Sequence, residues 1–172
     1  MDLDVRLKKL ATGVTARAAA TAHAKSLAPG SSLNTDEQSL ANEFEATIEL
    51  MFLMAAVDGE ISDEELEQLS GSIEAIADLH AVRGLKLHPT LNALNEQLAA
   101  DGWSARMHSA AARISSADGR AFAYRLAAGV AFVDDHVAHA EAAAIESLAS
   151  ALELDAEDSQ ALLREVVETL FG

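Results

Sequence analysis

The sequence predicts an all-α protein, built as a single domain of about seven to eight helices in two pseudo-twofold related helix-turn-helix halves. Three observations carry this prediction. Half of the residues are apolar while only 4% are aromatic and only two are proline, a balance that favours closely packed helices over sheets. Apolar residues recur at helical spacing. A short acidic motif occurs twice, each time between two such helical stretches, and 172 residues suffice for one buried core.

The N-terminal segment differs in charge from the rest of the chain. A basic helix is predicted from Leu3 to Leu27, and it ends at the breaker cluster Pro29-Gly30-Ser31-Ser32. Residues 5–35 contain no acid but five lysines and arginines. We therefore expect residues 1–32 to form a basic helix and breaker segment, and residues 33–172 to form the helical domain. The apolar stripe of the first helix either completes the core or docks on another protein; it comprises Leu3, Leu7, Leu10 and Val14.

The first half of the domain contains two predicted helices joined by the first motif copy. The first of them opens near Thr35, with Gln38 as a capping-box partner, and ends at Asp58-Gly59. Ser62 and Glu65 form a second capping box at the start of the next helix. The buried positions predicted from helical spacing are Leu40, Phe44, Ile48, Met51 and Ala55 before the turn, then Leu66, Leu69, Ile73 and Ile76 after it.

Further helices are predicted after residue 83, in the remaining part of the sequence. A linker over residues 83–89 precedes a helix capped by Thr90, and Asp101-Gly102 separates that helix from the next. The second half begins near Asp118-Gly119, and Asp155 caps the last helix. The predicted core positions here are Leu91, Leu94, Leu98, Trp103, Met107, Ala111, Ile114, Phe122, Leu126, Val130, Val133, Ile145, Leu148, Leu152, Leu162, Val166 and Leu170.

Composition excludes several classes of function. A formal net charge of -16 opposes binding to nucleic acid or anionic lipid and favours cations or basic partners. The absence of cysteine removes disulfides, thiolate metal sites and thiol catalysis. No run approaches the length of a membrane span. We therefore expect a cytoplasmic protein that does not insert into membranes and whose partners are other proteins, membrane-associated ones included, or a second copy of itself.

The repeated motif places two acids close to each turn. In both copies an aspartate is followed three residues later by a β-branched residue and seven residues later by a glutamate: Asp58 with Glu65, then Asp134 with Glu141. One interpretation is purely structural, because Asp58 can form an Asx-turn and Glu65 can cap with Ser62. Copy two fits this interpretation less well, since Ala138 stands where Ser62 stood and Asp135 replaces Gly59.

The other interpretation is a metal site. Copy one resembles the second half of an EF-hand loop, but Met54 and Ala56 stand where the first two acidic ligands belong, so one loop alone cannot complete a Ca²⁺ shell. Two half-loops brought together could complete the shell. Ligand sets made only of oxygen suit Ca²⁺, Mg²⁺ or Mn²⁺ better than Zn²⁺. His136 and His139 are further candidate ligands, and either would shift the preference toward Zn²⁺.

The two motif copies, followed by Leu152-Glu153-Leu154, resemble the TerB-like family of tellurite-resistance proteins, which is related to the N-terminal region of a membrane-anchored DnaJ-like co-chaperone. The resemblance covers residues 40–170. It implies an all-helical, pseudo-twofold fold with a divalent-metal site whose ligands are Asp58, Glu65, Asp134 and Glu141. It also implies a role in bacterial stress and metal resistance through assembly with partner proteins. Asp135 departs from the glycine common in the family.

Three classes of function remain open. The first is a non-enzymatic, divalent-metal-binding module that acts through protein partners. The second is a structural or partner-docking domain without a metal site, of which a co-chaperone-type module is a variant. An enzyme is the least favoured, because the chain has no Glu-x-x-His pair for a di-iron site and no recognisable nucleophile set or phosphate-binding glycine loop. We therefore predict no catalytic residues.

Overall fold

A computed structural model describes residues 2–11, 18–19, 21–22, 25–26, 30, 32–57, 61–79, 88–132 and 139–172, with the side chains of 75–79, 88 and 139–141 excepted. These residues contain eight helices with described bounds, further helical residues at 18–19, 21–22 and 25–26, and no strand, which confirms the all-α prediction. In chain order the helices are α1 (Leu3–Leu10), α2 (Thr35–Ala55), α3 (Asp63–Leu79), α4 (His88–Asp101), α5 (Trp103–Ala112), α6 (Ala117–Ala131), α7 (His139–Ala151) and α8 (Ala156–Phe171).

Helix α2 is the centre of the molecule. Every residue from Ala46 to Met54 is buried, so the helix has no solvent-facing side over these nine positions. A helix that is apolar on all sides must be surrounded by other elements. Accordingly, α2 contacts α3, α4, α5, α6 and α7, and its contact with α6 is the most extensive of any pair of described helices. The helices that precede the two motif copies therefore form the middle of the core.

Two predicted N-caps are wrong, although α2 begins at Thr35 as expected. The N-cap of α2 is Asn34, whose side chain accepts a hydrogen bond from the Glu37 amide at 2.8 Å, so Thr35 and Gln38 do not form the capping box. Both Asn and Thr are good N-caps, and the capping box at Asn34 selects the earlier residue. Helix α4 begins at His88, so Thr90 lies inside its first turn. Pro89 is tolerated there because amides of the first turn lack intrahelical acceptors.

Other predicted helix ends are confirmed. Asp155 caps α8 by accepting a hydrogen bond from the Asp158 amide at 2.7 Å. Gly102 separates α4 from α5 with a φ of 88°, a backbone conformation that glycine adopts without steric cost. The start of α6 lies slightly earlier than predicted, because the hydroxyl of Ser116 accepts from the Gly119 amide at 3.0 Å. The turn before α6 is therefore fixed by a serine cap.

The N-terminal helix is shorter than predicted. Helix α1 ends at Leu10, and Ala11 is its C-cap, so a single helix from Leu3 to Leu27 is wrong. The sequence continues with Thr12-Gly13, both weak helix formers. Leu3, Leu7 and Leu10 are buried in the core, while Val14 lies outside the described residues. The stripe thus completes the core over its described part, and the division of the chain at residues 32 and 33 stays a prediction.

Helix α1 joins parts of the fold that are distant in sequence. It packs on α3, α6 and α8. Asp4 accepts a hydrogen bond from the Ser72 hydroxyl of α3, and Leu10 lies so close to Gly129 of α6 that a Cβ at position 129 would collide with it.

None of the described helices is long and apolar enough to span a bilayer.

Tyr124 on α6 gives a pH-dependent prediction. It is the only tyrosine of the chain and its residue is 1% exposed, so burial raises the pKa of its phenol to about 12. The unfolded chain releases this proton near pH 10. Below about pH 10 the buried, protonated phenol makes its full contribution to the free energy of unfolding. This contribution is lost as the pH rises from about 10 to 12. Absorbance at about 295 nm follows this ionisation; a midpoint near pH 10 in the folded protein would contradict the burial.

Candidate functional site

The helices around the two motif copies begin and end at matching positions. Helix α2 ends at Ala55, three residues before Asp58, and α6 ends at Ala131, three residues before Asp134. The following helices begin two residues before the glutamate in both copies. In both copies a connection of seven residues therefore separates the two helices, residues 56–62 in copy one and residues 132–138 in copy two. In both copies the aspartate and the glutamate therefore lie the same number of residues from a helix end.

The apolar positions that flank the motif copies also correspond. Leu69 in α3 and Ile145 in α7 each lie four residues after the motif glutamate, and both are buried. Leu66 and Ile73 of α3, and Leu148 and Leu152 after the second copy, are buried as well. These apolar positions hold α3 and α7 against the core. The pseudo-twofold relation of the two halves as a whole stays a prediction.

Most of the predicted ligands lie outside the described residues. Asp58, Asp134 and His136 lie in the undescribed parts of the two connections. His139 and Glu141 lie in the first turn of α7, but their side chains are outside the description. Among the six candidates only Glu65, in the first turn of α3, has a described side chain. Within the described residues alone, no three His, Asp or Glu side chains cluster as a metal site would require.

Glu65 is exposed and takes part in the cap of α3. The Ser62 hydroxyl accepts a hydrogen bond from the Glu65 amide at 3.1 Å and donates one to Glu65 Oε1 at 2.9 Å. This geometry agrees with the structural interpretation of copy one. It is also compatible with a ligand role, because a carboxylate offers two oxygens and one hydroxyl occupies only part of their acceptor capacity. Glu65 therefore fits both readings, and an oxygen donor at this position suits a hard cation.

The serine cap can be tested separately from metal binding. Replacing Ser62 with alanine is expected to lower the free energy of unfolding by about 1 kcal/mol, since the Glu65 amide loses its acceptor. Urea denaturation measures the change. Ser39→Ala, at an exposed position inside α2, is the matched control and should be neutral or slightly stabilising. Equal stabilities of the two variants would show that Ser62 is not an effective cap.

A buried acid in α2 was not found from the sequence. Glu49 is 1% exposed, and Arg106 of α5 donates to both of its oxygens, from Nε at 2.7 Å and from the guanidinium at 2.9 Å. Arg113 donates to Oε1 at 2.5 Å. Hydrogen bonding to Glu49 raises the pKa of Arg106 and keeps it charged. The one sequence signal for this buried ion pair was an acid inside the apolar run 46–57. Nothing in that run indicates that Arg106 and Arg113 are its partners.

A second acid of α2 joins the helix to the start of α6. Glu43 accepts hydrogen bonds from the amides of Ser115 and Ser116, at 2.9 and 3.0 Å, and from the Ser116 hydroxyl at 2.8 Å. A carboxylate beside the first turn of α6 also meets the positive end of that helix dipole. Glu43 and Glu49 thus fix α5 and α6 against α2. Both oxygens of each acid accept hydrogen bonds from protein donors, whereas only one oxygen of Glu65 does, so Glu43 and Glu49 are poorer ligand candidates than Glu65.

These observations define a class of protein: an all-helical domain in which two acidic turns of equal length each join a core helix to the next helix. Residues 44–165 match the family described as tellurite resistance protein TerB. The match spans both motif copies and more than two thirds of the chain, so the chain belongs to the TerB family. No curated protein and no solved structure matches it significantly. The predicted relation to a DnaJ-like co-chaperone has no support here.

Proposed function

We propose that this protein is a non-enzymatic, divalent-metal-binding module of bacterial tellurite and metal-stress resistance that acts through protein partners. Asp58 and Glu65 from one motif copy, with Asp134 and Glu141 from the other, would hold one cation between the two halves. Four carboxylates favour Ca²⁺, Mg²⁺ or Mn²⁺ over Zn²⁺, and His136 or His139 as an additional ligand would favour Zn²⁺. The bound cation would supply positive charge that offsets repulsion among the acids.

The proposal is carried by one observation: in both motif copies the acids lie at the same sequence distances from the neighbouring helix ends. Equal connections of seven residues place each aspartate and each glutamate at the same distance in sequence from a helix end. Capping alone does not require this match, because Ala138 replaces the serine that caps copy one while the spacing of Asp134 and Glu141 is kept. The family match spans both copies and supports a role in tellurite resistance.

A structural docking domain without a metal site is the second candidate. The bond between Ser62 and Glu65 favours it, because one of the four acids already has a role in helix capping. On this alternative the high negative charge serves recognition of a basic partner. The alternative predicts that divalent cations have only the small, unselective effect of screening.

Thermal unfolding separates the two candidates. The protein is treated with a chelator and melted with Ca²⁺, Mg²⁺, Mn²⁺ or Zn²⁺ at matched ionic strength. A site occupied at 100 times its Kd stabilises by about 2.7 kcal/mol, which raises the Tm of a domain of this size by several degrees. The proposal predicts such a rise for Ca²⁺, Mg²⁺ or Mn²⁺. No rise, or an equal small rise with all four ions, would favour the docking domain.

A further inference from the structure

An open groove of about 380 Å³ lies between α5 and α7. Trp103, Met107 and His108 line one side, and Ala143, Ser147 and Ser150 line the other. The three small residues of α7 share one helix face, since they are spaced by four and then three positions. Of these six residues only Met107 is buried, so the groove is a shallow surface feature. Such a groove suits a helix of another protein better than a small molecule, which needs a pocket that encloses most of its surface.

Trp103 gives the groove a rigid apolar anchor. Its indole N–H donates to the Leu53 carbonyl of α2 at 2.8 Å, so the ring has a fixed orientation. The residue remains partly exposed beside the groove although Met107, the other large apolar residue of α5, is buried. A partly exposed tryptophan held by a hydrogen bond to the core costs little conformational entropy when a partner covers it, and tryptophan is enriched among residues that dominate binding energy.

The charge around the groove determines which partner fits. Residues 126–163, which include all of α7, contain eight acids and no lysine or arginine. Glu146 lines the groove itself and is exposed. The one arginine of α5 that could offset it, Arg106, is held in the ion pair with Glu49. A partner helix therefore meets a negative surface, and positive charge beside its apolar stripe would be attracted on approach.

We propose that the groove between α5 and α7 binds an amphipathic helix with a basic polar face, contributed by a partner protein. The apolar side chains of that helix would pack on Trp103 and Ala143, and its lysines or arginines would lie near Glu146. The inference deepens the partner-binding part of the proposed function and is independent of the metal site. Its test is therefore carried out in chelator, so that failure of metal binding does not affect the result.

The test uses two synthetic peptides of roughly 18 residues with leucines at positions i, i+3, i+4 and i+7. One carries lysine at all other positions and the other carries glutamate. Because Trp103 is the only tryptophan of the chain and the peptides contain none, its emission reports directly on the groove. The lysine peptide should shift the emission to shorter wavelength in a saturable manner, and the glutamate peptide should not. Absence of a shift with the lysine peptide would overturn the proposal.

Two pairs of variants separate groove binding from general attraction to an acidic protein. Glu146→Lys and Ser147→Phe should each weaken lysine-peptide binding about tenfold or more, through charge reversal and through filling of the groove. Glu67→Lys on α3 and Gln160→Phe on α8 are exposed controls away from the groove and should stay within about twofold of wild type. Thermal melting checks that each variant is folded. Equal weakening by groove and control variants would overturn the proposal.

Discussion

Replacing Glu49 with alanine is expected to lower the free energy of unfolding by about 3–5 kcal/mol, the cost of removing one partner from a buried ion pair. Arg106 is only 15% exposed and would lose both hydrogen bonds to the carboxylate. Arg113 would lose its contact at 2.5 Å. Asp101, at 3.2 Å from Arg106, offsets part of this loss and places the effect toward the lower end of the range. A drop in Tm of roughly 10 °C should follow.

The matched control is Glu45→Ala on the same helix. Glu45 is 53% exposed and lies 3.9 Å from Arg113, so its removal should change the free energy of unfolding by less than about 1 kcal/mol. Urea denaturation of both variants measures the difference. If Glu49→Ala were as mild as Glu45→Ala, the two arginines would be adequately solvated without the buried carboxylate, and the account of α2 and α5 packing would be wrong.

Replacing Asp134 with alanine is expected to abolish the stabilisation by divalent cations while leaving the protein folded. The proposed site loses one of its four carboxylates, and a hard cation held by few oxygen ligands depends on each of them. Without cation, the variant should be as stable as wild type or slightly more stable, because repulsion among the acids decreases. Thermal melting with and without the preferred cation measures both effects.

Asp63→Ala is the control for the metal prediction. Asp63 is an exposed acid in the first turn of α3; it lies within the span of copy one, between Asp58 and Glu65, but copy two has no acid at the corresponding position. Its removal changes the net charge by the same amount and should preserve the cation effect. Stabilisation retained in Asp134→Ala would show that the ligands are elsewhere. An equal and small reduction of the stabilisation in both variants would indicate a diffuse attraction of cations to an acidic surface.

The apolar pattern predicted the packing of most helices. The stripe Leu66, Leu69 and Ile73 is buried as expected, because a helix half covered by neighbours keeps a 3.6-residue period. Helix ends were less predictable. Asn34 and Thr35 are both competent N-caps, and only the geometry of the Asn34 and Glu37 pair decides between them. The end of α1 at Leu10 was missed because the sequence that follows is rich in alanine, which favours helix, despite Thr12 and Gly13.

The candidate site was predictable only in part. The repeated spacing of aspartate and glutamate is local, so it was visible in the sequence, and the helix ends around both copies agree with it. The network around Glu49 was not predictable, because its partners Arg106 and Arg113 lie 57 and 64 residues away. Such pairs arise from the packing of α5 on α2. Likewise, the groove between α5 and α7 joins residues with no shared sequence signature.

On the proposed function, the two motif copies form one shared metal site. Titration of chelator-treated protein with Mn²⁺, followed by the loss of the electron paramagnetic resonance signal of the free ion, measures the number of ions bound per chain. A shared site predicts one tightly bound Mn²⁺ per chain in the wild type and none when either Asp58 or Asp134 is replaced by alanine. Two equivalent ions per chain, each lost with only one of these substitutions, would contradict a shared site.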